Sequence, residues 1–201
     1  DKNIKLNDAE TLYTLKSENQ LSEEDEKLLR RILNVLNKIN QQNLHKLAIE
    51  LIQLPINNQE RLKAFVEIIF EKAINEPIYC QTYSQLCEIL AKTKVPTAND
   101  SNEENTFRTM LLTKCQRAFY TNYKKEVNYD ELISKAEKCS DEAMKKELKE
   151  QAENKLLKAK RKSLGNIRFI GELFKLKMLT EGIMFDCIER LLEQENDKQN
   201  F

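Results

Sequence analysis

Three glycines and three prolines are spread over the 201 residues of this chain, and that scarcity constrains its fold more than any other feature. A β-sandwich or barrel turns every few residues and draws on glycine and proline to do so. Helices joined by short polar loops do not. The apolar residues agree with the helical choice, because they recur at intervals of three and four, the spacing that lines one face of an α-helix. With 40% hydrophobic and 33% charged residues, the chain can bury a substantial core and keep the opposite faces in water.

The pattern resolves into successive helices. The stretch "SEED" opens the first: Ser22 can cap it and Asp25, three residues on, can answer as in a capping box, ahead of Leu28, Leu29, Ile32, Leu36 and Ile39. Leu44, Leu47, Ala48, Leu51 and Ile52 stripe a second, stopped by Pro55. Asn57 with Glu60 starts a third, carrying Leu62, Phe65, Val66, Ile69 and Ala73. Pro77 marks the start of a fourth, with Tyr79, Tyr83, Leu86, Cys87 and Leu90. Residues 94–105 read as a polar loop holding another cap signal, Ser101 with Glu104, before a fifth stripe of Phe107, Leu111, Leu112, Cys115 and Phe119.

Residues 120–162 are heavily charged. They predict a solvated insertion at about 120–150, whose later part is helical and runs into "KRKSLGNIRFIGELFKLKML". In that string Leu164, Ile167, Ile170, Leu173 and Phe174 fall on one face and predict a core-facing helix. Gly165 and Gly171 would each cost about 1 kcal/mol against alanine in a helix interior, so close approach of a neighbouring helix is expected to compensate. A last helix starts near Thr180 and carries Ile183, Met184, Cys187, Ile188, Leu191 and Leu192.

These segments pair with a period of roughly 35–40 residues, as in an α-solenoid. The final helix has no partner, which predicts a further helix beyond Phe201. Residues 1–21 show no period and are expected to form a flexible arm, residues 22–194 the repeat domain, and residues 195–201 a tail.

Several function classes drop out. Lys and Arg number 33 against 33 Asp and Glu, so nucleic-acid binding must come from a local patch. No apolar run approaches the roughly 20 residues that span a bilayer. A phosphate loop needs a strand before its glycines and a lysine after them, and Glu172 follows Gly171 here. The single histidine, His45, has no nucleophile signature near it, and scattered cysteines make no zinc set. No enzyme activity, cofactor or metal is expected. The five cysteines are odd in number and lack C-x-x-C spacing; Cys80, Cys87, Cys115 and Cys187 fall on apolar faces and Cys139 among charges. That usage fits an intracellular, reducing compartment.

The string "RKSLGNIRFIGELFKLKMLTEGIM" resembles the signature of the middle domain of the translation initiation factor 4G family. Upstream, "ERLKAFVEIIFEKAINEPIYCQTYSQLCEIL", "KVPT" and "TFRTMLLTKCQRAF" are similar to the same family in the same order. The similarity covers about residues 27–194, interrupted by the charged insertion. It implies an all-α solenoid of HEAT-type antiparallel helix pairs, of which this chain would hold about three and a half repeats of a five-repeat crescent. It also implies a translation-initiation scaffold whose main partner is the DEAD-box RNA helicase, initiation factor 4A, with RNA and other initiation factors as further partners. The scaffold would hold the two helicase lobes in a productive orientation, early repeats gripping one and late repeats the other.

Helicase contacts are expected on exposed loop and helix-end positions: Asn57, Glu60, Arg61, Lys63, Asn75, Glu76 and, in the matched signature, Asn166, Arg168, Lys175 and Lys177. RNA contacts are expected in residues 145–162, where eight Lys or Arg face three Glu. Lys155, Lys158, Lys160, Arg161 and Lys162 lead that patch, through phosphates rather than bases, since no aromatic platform accompanies them. Residues 181–197 hold six acids against Arg190, so charge is polarised along the stack. The family's cap-binding-protein motif puts a leucine five residues after a tyrosine; those positions here are Glu18, Ser84, Glu88, Lys125, Asn128 and Ser134, so that partner is not expected. The competing reading is a solenoid that primarily binds structured mRNA leaders, with helicase contact secondary.

Overall fold

A computed structural model describes residues 22–92, 106–121 and 123–199. The expected arm (1–21) and the loop 94–105 with its Ser101–Glu104 cap lie outside the described residues. Every regular element among those described is helical.

Helix α1 (Glu23–Leu36) starts as the sequence predicts: the Asp25 N–H donates to Ser22 Oγ at 3.2 Å and the Ser22 hydroxyl donates to the Asp25 carboxylate at 2.7 Å. After α2 (Leu44–Ile52), helix α3 (Gln59–Asn75) is capped one residue later than expected. Asn58 Oδ1 accepts the Arg61 N–H at 2.7 Å, while the Asn57 side chain accepts the Arg61 guanidinium at 3.0 Å. Pro77 begins a 3-10 turn, Pro77–Tyr79, that leads into α4 (Cys80–Lys92). Thr106 caps α5 (Phe107–Tyr120).

The charged stretch after α5 folds as two short helices, α6 (Tyr123–Glu126) and α7 (Tyr129–Glu137), followed by α8 (Glu142–Lys175). Helix α8 spans 34 residues without a break, about 50 Å. Helix α7 lies along its first half, and each helix buries an alanine, Ala136 and Ala152, both fully covered. Small residues at such a contact let two helices close in without apolar bulk, which is why the hydrophobic pattern is so weak there. The last helix, α9 (Glu181–Gln199), continues into the segment expected as a tail.

Helices α1, α3 and α5 stack in one row and α2, α4 and α8 in a second, with α1 on α2, α3 on α4 and α5 on α8 as the pairs. The core runs between the rows. The tilted Phe65–Phe107 pair, with ring centres 5.8 Å apart, and the edge-on Phe70–Phe169 pair at 6.4 Å tie successive repeats together.

The core face of α8 differs from expectation at one end. Ile170 and Leu173 are buried, with Gly165, Asn166 and Phe169 beside them, but Leu164 is 60% exposed. The cause is Gly165, which is the point of contact and turns its neighbour outward. A Cβ at Gly165 would overlap the Ile74 carbonyl oxygen and lie 2.9 Å from its carbon. Gly171, expected to serve the same purpose, has nothing within 4 Å of its Cβ position. Among residues 181–192 of α9 Cys187 alone is buried; Phe185, Ile188 and Leu192 form an exposed apolar face, with Ile183 on the other side near Cys187.

Candidate functional site

The expected helicase contacts separate into two groups at opposite ends of α3. Asn57, Glu60, Arg61 and Lys63 surround its start; Asn75 and Glu76 close it. The ends are roughly 25 Å apart along the axis.

At the first end Glu60, Lys63 and Asn57 are exposed, but Arg61 is not a free surface cation. Its Nε donates to Asp25 Oδ1 at 2.6 Å and its Nη1 to the Pro55 carbonyl at 3.1 Å. The guanidinium therefore braces the start of α1 against the α2–α3 loop. Charge-assisted bonds of this kind are among the stronger ones in proteins. The Ser22 hydroxyl, followed by Arg61, holds the Asp25 carboxyl below its ordinary range.

At the second end both residues are occupied. Asn75 donates to Glu71 at 2.9 Å. Glu76 accepts from Lys72 at 2.9 Å and from the Tyr83 hydroxyl at 2.8 Å, and Lys72, only 5% exposed, also bonds Asn37. A lysine that deep needs its partners, because an unpaired buried charge is strongly destabilising. This carboxylate is a structural member of an α1–α3–α4 network.

The crossing of α8 over α3 starts the signature at the second end, with Gly165 at Ile74, and α8 then runs back along α3, with Phe169 at Phe70. Arg168 and Lys175 are exposed, Lys175 with Glu172 at 2.6 Å. Asn166 departs from the exposed position expected of it. It is 1% exposed, and its Nδ2 donates to the Cys115 carbonyl at 2.9 Å, fastening α8 to α5. Its place next to the contact glycine puts it inside the helix–helix interface. Lys177 is exposed at the end of α8 with φ of 58°. It holds the left-handed position that commonly ends a helix, and the Met178 N–H reaches back to the Leu173 carbonyl at 3.0 Å.

The expected RNA residues are all exposed on α8. At about 100° per residue, Lys155, Lys158 and Lys162 share one side of the helix, Arg161 sits at its edge and Lys160 lies well round toward the back. Lys162 already pairs with Glu71 of α3 at 2.8 Å. The five are one sequence cluster but not one surface.

Sequence reasoning passed over Arg108, whose Nη2 donates to the Met178 carbonyl at 2.9 Å and anchors the α8–α9 corner. It also passed over Ile78, 90% exposed on the 3-10 turn. The signal for the second was present in "NEPIYC", a large aliphatic residue next to a proline in polar surroundings. A cleft of about 340 Å³ between α5 and α9 is lined by Arg108, Leu112, Phe119, Ile183, Asp186 and Cys187, among others. Burial pushes the Cys80 thiol up to about 11, with Glu172 adding to the effect, and raises Cys87 and Cys115 strongly. Such thiols are poor nucleophiles. No helix among the described residues is long and apolar enough to cross a membrane.

The profile of the MIF4G domain family matches residues 27–201. Eukaryotic translation initiation factor 4 gamma 1 of Mus musculus is 40% identical over 97% of this chain and 13% of its own length. Eukaryotic translation initiation factor 4 gamma 3 of Homo sapiens is 36% identical over 86% of this chain and 11% of its own. Eukaryotic translation initiation factor 4G of Arabidopsis thaliana is 36% identical over 88% and 10%. The chain thus spans about an eighth or less of the length of these relatives. Paired helices stacked in two rows and a matching profile over most of the sequence lead to one conclusion: the chain belongs to the MIF4G domain family.

Proposed function

We propose that this chain is a cytoplasmic translation-initiation scaffold that binds and orients a DEAD-box RNA helicase, initiation factor 4A, and contacts RNA, without chemistry of its own. The observation that carries this reading is the similarity to translation initiation factors 4 gamma over nearly the whole chain. The geometry supports it. Exposed polar groups, Glu60 and Lys63 at the start of α3 and Arg168 of α8 nearer its other end, offer separate footholds on a stiff body. A scaffold that grips two lobes raises the population of one mutual orientation, and does so only by binding that orientation more tightly.

Titrating purified helicase and an unstructured RNA separately at physiological salt tests the reading. Helicase binding that weakens in K63E and in R168E supports the two footholds. Helicase affinity below detection, with RNA bound tightly, would overturn it in favour of a solenoid that reads mRNA leaders first. Lys155 and Lys158, aligned with Lys162 on α8, are the observation behind that second reading. Reversing Lys158, Lys160, Arg161 and Lys162 to Glu should weaken RNA binding most at low salt, because each phosphate contact releases counterions. Unchanged affinity would remove the patch.

A further inference from the structure

We propose that the corner where α8 crosses the α3–α4 turn is a docking surface for an acidic amphipathic helix of a protein partner. Ile78 stands 90% exposed there, with Tyr79 at 39%. The turn is stiff: Pro77 fixes its own φ, the Tyr79 N–H donates to the Glu76 carbonyl at 3.0 Å, and helices hold both sides. An apolar side chain on a rigid turn loses little entropy when covered.

Helix α8 supplies the rest. Gly165 meets Ile74 and Phe169 meets Phe70, so α8 runs antiparallel to α3 at the crossing. That register carries Arg161 and Leu164, in the turn of α8 before Gly165, past Ile74 toward Pro77. The charges felt by the Cys80 thiol, just behind the turn, come from Glu172, Arg168 and Lys175 on the turns of α8 that follow Gly165. Leu157, Arg161, Leu164 and Arg168 follow at steps of four, three and four along one face of α8, with the leucines 49% and 60% exposed. Among the described residues Arg161 and Arg168 form no ion pair.

Exposed leucines met singly need no explanation. Aliphatic side chains on one face, rimmed by unpaired cations, are complementary to a helix with leucines on one side and carboxylates at its flanks. RNA would use the cations but gains little from Ile78 and the leucines, since bases stack on aromatic rings. The row of Lys155, Lys158 and Lys162 lies on another side of α8. Arg168 and Lys175 are shared with the proposed helicase contacts, but a peptide titration reads this surface without the helicase and stands whichever way that experiment goes.

The test uses a labelled helical peptide of about 15 residues, enough to lie along the stripe, with leucines on one face and flanking glutamates. A control peptide carries lysine in place of each glutamate. Anisotropy titration should show that the chain binds the acidic peptide and not the basic one, with affinity falling as salt rises. I78S and R168E should each lose about tenfold or more, while K155E/K158E binds as the parent does. Because Ile78 is almost wholly exposed, I78S should melt like the parent. Equal binding of both peptides, or full affinity in I78S and R168E, overturns the proposal. So does an I78S variant that loses RNA affinity while no acidic peptide binds, which would assign the surface to nucleic acid.

Discussion

Replacing Gly165 with alanine sets two effects of known size against each other. Removing a glycine from a helix interior should gain about 1 kcal/mol from backbone entropy. Against that, the new methyl would overlap the Ile74 carbonyl oxygen and sit 2.9 and 3.0 Å from the Ile74 carbonyl carbon and Cα, where ordinary contact begins near 3.4 Å. The obstacle is the backbone of α3, which cannot rotate away as a side chain would, so α8 must retreat along its crossing. The Phe70–Phe169 contact and the Lys162–Glu71 pair lie on either side of that point and would loosen with it. Overpacking of this kind costs about 1–3 kcal/mol, and the upper end applies to a backbone clash. The net loss should be about 2 kcal/mol, or about 4–8 °C in Tm for a domain of this size. Thermal and urea melts followed by far-ultraviolet circular dichroism measure it, with G171A as the internal control. Gly171 faces open space, so G171A should gain up to about 1 kcal/mol. If G165A melts at or above the parent, the close approach of α8 to α3 is wrong.

Four further outcomes follow from the same contacts. N166A should cost about 1 kcal/mol for the lost bond to Cys115, whereas N166D, which buries a carboxylate beside a carbonyl, should cost about 3 kcal/mol or more at neutral pH and recover as acid protonates it; urea melts at two pH values separate the cases. Asp25 has a folded pKa below its unfolded value, so its contribution is present above the ordinary carboxyl range and is lost as pH falls through the folded value. R61A and S22A should each flatten that acid limb, and R61A should cost about 2 kcal/mol at neutral pH. Thiol labelling under native conditions should modify Cys139, the half-exposed one, first, and Cys87 and Cys115 only as the protein unfolds; early labelling of Cys87 would contradict its burial. K177G should raise Tm slightly, because glycine holds φ of 58° without the Cβ penalty.

The helices and most of their core faces were legible because burial writes itself into spacing: Leu28, Leu47, Phe65, Leu86 and Phe107 are all buried where periodicity put them. The caps of α1 and α3 were legible to within a residue, since a side chain must lie three positions from the N–H it accepts, as Ser22 does and as Asn58 does in place of Asn57. The sites were less so. Arg61, Glu76 and Asn166 read as surface polar residues at helix ends, yet Arg61 and Asn166 are held by residues distant in sequence, Asp25 and Cys115, and Glu76 by Tyr83 across the α3–α4 turn.

A residue's spacing along the chain tells which face of its own helix it occupies. It does not tell what that face meets. The amphipathic order of the segments was enough to determine an all-α stack of pairs, because each helix alone must hide its stripe. Only the packing of α8 on α3 decided that Gly165 is a contact and Gly171 is not, and that Leu164 faces water. Those outcomes depend on the distance and direction between two helices whose contacting residues, Ile74 and Gly165, stand about ninety positions apart, and no local pattern carries that information.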